Sequence, residues 1–183
     1  MAMNSIGLIE LGSIAAGYEV SDAMLKAGPV ELVLARSICS GKYMVMVRGD
    51  VGGVQAAVEA GSTVGDFSVI DKFVIPNVDE AIFPAIAGNT KVEKLDALGI
   101  IESFSVASLI EGADAAVKAA SVELIEIRLA MALGGKAFCT LTVNVASVRT
   151  AVDAGAAVIA KKGLLVNMVV IPQPRKELLS EMI

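Results

Sequence analysis

The sequence predicts an α+β protein built from two tandem ferredoxin-like domains, each a four-stranded antiparallel sheet with helices packed on one face. Two observations carry this. The 183-residue chain contains itself twice, and each copy runs in the order β-α-β-β-α-β. A third, a hydrophobic content of 55% broken into short runs, says that both copies have enough apolar material for a core.

The repeat is read directly from the residues. Gly7-Leu8-Ile9-Glu10 recurs as Gly99-Ile100-Ile101-Glu102, Asp22…Lys26-Ala27 as Asp114…Lys118-Ala119, and Val30-Glu31-Leu32 as Val122-Glu123-Leu124, all at a spacing of 92 residues. The second copy then gains two residues, so that Gly41-Lys42 matches Gly135-Lys136, and later two more, so that Val74-Ile75-Pro76 matches Val170-Ile171-Pro172. This places a first domain at 1–90 and a second at 91–183, joined through the polar stretch Ala87–Asp96.

Within each copy a first strand is expected at Ile6–Leu11 and Leu98–Ser103. A helix follows, N-capped by Ser13 or Ser105, and Gly28 stops it in copy one. Two strands joined by a glycine turn come next, Val30–Ala35 with Tyr43–Arg48 and Val122–Arg128 with Ala137–Val143. An alanine-rich helix is expected over Val51–Ala60 and Val145–Ala157, then a strand over Lys72–Ile75 and Leu164–Ile171, each stopped by a proline and followed by a short helical piece.

Composition excludes several functions. The longest uncharged stretches, Ala137–Val148 and Gly163–Pro174, have twelve residues each, short of the ~20 that a spanning helix needs, so no membrane partner is expected. The N-terminus lacks a basic region and Glu10 interrupts its first apolar run, so no leader is expected. A net charge of −5 with 4% aromatics and no basic run argues against nucleic acid. Two cysteines make no disulfide framework, which fits a reducing, cytoplasmic setting. The absence of histidine removes histidine triads and metal sites, and no other nucleophile signature is present, so no enzyme is expected. Mean hydropathy of +0.72 points to apolar surface hidden between subunits.

Gly41-Lys42 and Gly135-Lys136 are not a phosphate loop. Arg36 and Ala130 stand where its first glycine belongs, and Tyr43 and Ala137 where its Ser or Thr belongs. Glu10 and Glu102 occupy matching strand positions with no nucleophile or ligand cluster near them in sequence, and are read as structural. A lone cysteine is more often a small apolar filler than a ligand, and that reading suits Cys139, within the strand Ala137-Phe138-Cys139-Thr140-Leu141. Cys39 sits instead in Ser37-Ile38-Cys39-Ser40-Gly41-Lys42, whose small polar residues can reach a thiolate or its ligand.

Gly7-x-Ile9-Glu10, the Asp22…Lys26 helix end, Gly41-Lys42, Val47-Arg48-Gly49-Asp50-Val51 and Val74-Ile75-Pro76, taken in order and duplicated, resemble bacterial microcompartment shell proteins of the tandem-domain, trimer-forming type. The resemblance covers nearly the whole chain. It implies a homotrimeric pseudohexamer that tiles with other shell proteins in a sheet, Lys26 and Lys118 lying at the tile edge. It implies a central pore lined by Ser37, Ile38, Ser40, Gly41 and Lys42 and by Gly134, Gly135 and Lys136, whose lysines favour anionic solutes. The Cys39 loop is similar to that of the iron–sulfur-carrying members found in propanediol-utilization compartments. This implies a [4Fe-4S] cluster, one per trimer, bound by Cys39 and moving electrons across the shell. Copy two has Met131-Ala132-Leu133-Gly134 at the matching place, without cysteine, so three thiols rather than six would converge on a threefold axis. The alternatives are a metabolite pore without a cluster and a ligand-sensing ferredoxin-like regulator. One departure from the family is noted: Asn77 and Gln173 follow the Ile-Pro pairs where an arginine is usual, with Arg175 as a substitute in copy two.

Overall fold

The computed structural model describes residues 4–92, 94–130 and 133–178. The strands are β1 (Ser5–Leu11), β2 (Val30–Ile38), β3 (Lys42–Gly49), β4 (Val69–Ile75), β5 (Ala97–Ser103), β6 (Glu123–Arg128), β7 (Ala137–Val143) and β8 (Leu165–Ile171). The helices are α1 (Ile14–Ala27), α2 (Val51–Gly65), α3 (Ile82–Ala87), α4 (Val106–Ala119) and α5 (Val145–Lys161). They form two antiparallel sheets, ordered β2-β3-β1-β4 and β6-β7-β5-β8, which is the ferredoxin-like order in both.

The elements begin and end where local chemistry dictates. Ser13 and Ser105 accept hydrogen bonds from the N–H groups of Ala16 and Ser108, and Asp50 and Asn144 do the same for Gly53 and Ser147, so all four long helices carry an N-cap of the preferred kind. The alanine-rich helices run past their expected ends at Ala60 and Ala157, to Gly65 and Lys161. Gly61 and Gly155 are contact points rather than stops: a Cβ on Gly61 would lie 2.6 Å from Met24 Cγ, and one on Gly155 would lie 2.5 Å from the Gly112 carbonyl oxygen. The helix pairs α1/α2 and α4/α5 close onto these bare positions.

In the first unit, Ile9, Leu11, Val20, Met24, Val45, Val47, Val54 and Val58 form the core between the sheet and its helices. The alternation of β1 and β3 sends Ile6, Leu8, Met44 and Met46 to the other face, where they too are closed to solvent. In the second unit Ile101, Leu109, Cys139, Leu141, Val148 and Ile159 are buried. Burial pushes the Cys139 thiol up to about 12, so it stays neutral and inert. Its ionisation opposes folding: the stability it contributes is full below the ordinary thiol range and is lost as pH rises from there toward 12. In native protein, a thiol reagent is expected to spare Cys139 and to reach it only after denaturation.

The compact units divide earlier than the repeat suggests. Residues Met1–Val78 with Met131–Gly135 make one unit, and Asp79–Ala130 with Lys136–Ile183 the other, so the join expected at 90/91 lies inside the second. The reason is bonding. The Asp79 N–H donates to Asp114 Oδ1 at 2.8 Å, Thr90 Oγ1 donates to the Ile125 carbonyl, Val92 packs with Leu98 and Ile125, and α3 lies on β6. Glu93, within the expected joint, and Met131 and Ala132, in the copy-two loop, lie outside the described residues. The helical piece expected at the C-terminus is a single 3-10 turn, Lys176–Leu178.

Candidate functional site: the β2–β3 turn

β2 and β3 form a hairpin whose register closes at Ile38↔Lys42, leaving Cys39, Ser40 and Gly41 as its tip. Ser40 (φ 67°) and Gly41 (φ 72°) are both left-handed, the conformation that a tight hairpin turn demands at successive residues. The matching residues of copy two are Gly134 and Gly135, at φ 62° and 86°. Glycine adopts that conformation freely, whereas a serine there costs about 1 kcal/mol. The first copy thus holds a strained serine beside its cysteine where the second has an unstrained glycine. Gly135 groups with the first unit and lies against this tip: a Cβ on it would sit 3.2 Å from Ser40 Oγ. Cys39 is half-buried and in no disulfide. Ile38 is buried, and Ser37 is exposed beside it.

The lysines that follow each turn do not present free charge. Lys42 Nζ donates to Glu10 Oε1 at 2.8 Å, and Glu10 is fully buried. Lys136 Nζ pairs with Glu102 Oε1 at 2.6 Å in a more exposed setting. Each ammonium is offset by a carboxylate on the neighbouring strand, which works against an anion-selective lysine ring. The pairing was visible in the sequence as two charges of opposite sign, each recurring at matching places in both copies, but nothing local connected them across 32 residues.

The two helix-end lysines are not equivalent. Lys26 pairs with Asp22 at 2.6 Å on an open surface, side chains 74% and 64% exposed. Lys118 pairs with Asp114 at the same distance, but Asp114, with its side chain 9% exposed, also accepts the Asp79 N–H. Arg175 pairs with Glu177 in its own segment and is exposed. Among the described residues no group of three or more Cys, Asp or Glu side chains is placed to hold a metal ion. No described helix is long and apolar enough to cross a membrane.

The two sheets with their turns match known proteins. The BMC domain family matches residues 5–78 and again 97–174. The chain belongs to the BMC-domain family of bacterial microcompartment shell proteins. It is 41% identical to the bacterial microcompartment shell protein PduT of Citrobacter freundii over 98% of this chain and 97% of that one. It is 38% identical to shell protein PduA of the same organism over 46% of this chain and 96% of PduA, as expected where a single-domain relative matches half of a duplicated chain. The crystal structure of a microcompartments protein from Desulfitobacterium hafniense DCB superposes with a TM-score of 0.87 at 51% identity, over 97% of this chain and 98% of that one. The protein is therefore a structural shell component with tandem BMC domains, and its place is the shell of a bacterial microcompartment. The family assignment leaves the ligand-sensing regulator without support.

Proposed function

We propose that the protein is a redox tile: a homotrimeric pseudohexamer whose three Cys39 thiolates hold one [4Fe-4S] cluster at the central pore. The turn carries this reading, because Cys39 stands at a hairpin tip whose next residue, Ser40, is strained where the repeat has glycine. Strain of this kind persists where the surroundings impose it, and it gathers at functional sites.

Thiolate is the right donor for such a cluster, but one chain supplies a single suitable thiol, since Cys139 is buried and neutral. The site is complete only when a threefold axis presents Cys39 three times, leaving one iron to a non-protein ligand. When bound, the group supplies one-electron transfer. The chain's own residues position it: Ser37, Ser40 and the Gly41 N–H are the nearby donors able to tune its potential, and Ile38, next to Cys39 in the chain, is buried. The pore is completed by Gly134, Gly135 and Lys136, and tiles meet other shell proteins through edges that include Lys26 and Lys118. The protein performs no catalysis of its own.

Cys39→Ser tests this. Protein purified without oxygen is expected to be brown. The variant is expected to remain trimeric but to lose the visible absorbance, the iron and the acid-labile sulfide together. Colourless wild-type protein that stays so after reconstitution would leave a metabolite pore, with Cys39 merely lining it.

A further inference from the structure

β3 leaves the Cys39 turn held on both faces of its sheet, and the second copy lacks the tighter half of that arrangement. On the face away from the helices, the first residue of β3, Lys42, is tied to the fully buried Glu10, whereas Lys136 and Glu102 form a more exposed pair. On the helix face the next residue is Tyr43, with Ala137 at the matching place in copy two. Tyr43 is buried. Its ring lies under α1 at Gly17, where an added Cβ would stand 2.3 Å from Tyr43 Cγ. The ring centroid is 5.2 Å from that of Tyr18, and the Tyr43 hydroxyl hydrogen-bonds to the side chains of Ser21 and Tyr18. Ser21 Oγ donates in addition to the Gly17 carbonyl oxygen at 2.6 Å.

Four positions change together between the copies. Gly17, Tyr18, Ser21 and Tyr43 correspond to Leu109, Ile110, Ala113 and Ala137, at the spacings of 92 and 94 residues that the repeat sets. The change exchanges volume across the helix–strand contact. Copy two sets a small strand residue under a large helix residue, and copy one sets a large strand residue under a bare one. All four side chains of copy two are fully buried, so its version closes the core without a ring. Packing alone therefore does not ask for Tyr43. What the ring adds is orientation: a buried aromatic with a bonded hydroxyl holds its backbone in one place, and an alanine methyl does not. The chain's only two tyrosines both lie here, in the copy that carries Cys39.

We propose that Tyr43, seated under Gly17, is a positioning residue for the Cys39 turn, and that with Lys42 it clamps the root of β3 so that the thiolate is presented in one place. The inference rests on the redox-tile reading and names what holds its ligand. A ligand set drawn from three chains is met by one thiolate from each, so every turn must hold its own to within about 0.5 Å. The turn is strained at Ser40, and such strain persists only where the surroundings over-determine the conformation. Lys42 on one face and Tyr43 on the other supply that constraint at the two residues that follow the turn. The ring, wedged beneath α1, carries the effect, so phenylalanine serves at position 43 where alanine does not.

Release of iron from the full-length, anaerobically reconstituted protein tests the clamp, with a chelator added and the visible absorbance followed. Tyr43→Ala combined with Gly17→Leu installs the packing of copy two. This variant is expected to remain trimeric with an unchanged unfolding temperature, but to lose iron about tenfold faster. Tyr43→Phe, which keeps the ring, is expected to stay within about twofold of wild type. Tyr43→Leu needs no second change and keeps an apolar side chain under α1, so it gives an independent reading if the double variant does not fold. It is expected to speed release about threefold or more. Release at the wild-type rate from the folded double variant or from Tyr43→Leu would overturn the positioning role and leave the redox tile standing. So would a Tyr43→Phe variant as leaky as Tyr43→Leu. Wild-type trimers that take up no iron would overturn the redox tile and this inference with it.

Discussion

Replacing Lys42 with Met is expected to destabilise the protein by about 3 kcal/mol, the low end of what breaking a buried ion pair costs. Glu10 is fully buried, and the Lys42 ammonium 2.8 Å away is a cation that offsets its charge. Removing that cation leaves the carboxylate in a poorly solvating environment, whereas removing both charges does not. Glu10→Leu combined with Lys42→Met is therefore expected to recover most of the loss. The second copy provides an internal control. Lys136 and Glu102 form the same pair at the matching positions, but their side chains are 40% and 28% exposed. Water screens them, and Lys136→Met is expected to cost less than about 1 kcal/mol. Urea unfolding at one fixed protein concentration reads both values, since oligomerisation otherwise moves the midpoint. Equal losses at the two sites would show that burial does not set the strength of these pairs.

Gly155→Ala is expected to cost about 2 kcal/mol, against the ordinary preference of a helix for alanine over glycine by about 1 kcal/mol. The added Cβ would stand 2.5 Å from the Gly112 carbonyl oxygen and 2.8 Å from Ile101 Cδ1. A backbone oxygen of the facing helix yields only if α4 and α5 separate, and the packing on both sides resists that. The matching change in copy one, Gly61→Ala, meets the flexible Met24 side chain and Ile9 Cδ1 instead. It is expected to cost less than half as much. Thermal unfolding of the two variants side by side checks the order, and a Gly155→Ala variant as stable as wild type would mean that the helices are not in close contact there.

These glycines show where the sequence stopped being legible. Both fall within alanine-rich stretches, and nothing local marks either as a point of close approach. Only the tertiary packing shows that they are bare so that a second helix can approach. The strands, the Ser13 and Ser105 N-caps and the sheet order were legible because each depends on nearby residues or on the duplication. Ser13 with Ala16 and Ser105 with Ser108 are local hydrogen bonds, and the β-α-β-β-α-β order leaves little topological choice. Which unit residues 79–90 pack with was not legible. It is set by long-range bonds from Asp79 to Asp114 and from Thr90 to Ile125, and no sequence signal marks either.

The candidate site divides in the same way. The Cys39 turn stands out from its surroundings and from the cysteine-free turn of copy two. The commitment of Lys42 to Glu10 does not, because it crosses strands.

Native mass spectrometry of protein kept free of oxygen tests the redox tile most directly, because it reads assembly and cofactor in one spectrum. The expected species is three chains plus the mass of a single four-iron, four-sulfide cluster, with Cys39→Ser giving three chains and no added mass. Single chains, or trimers carrying no cluster after reconstitution, would contradict it.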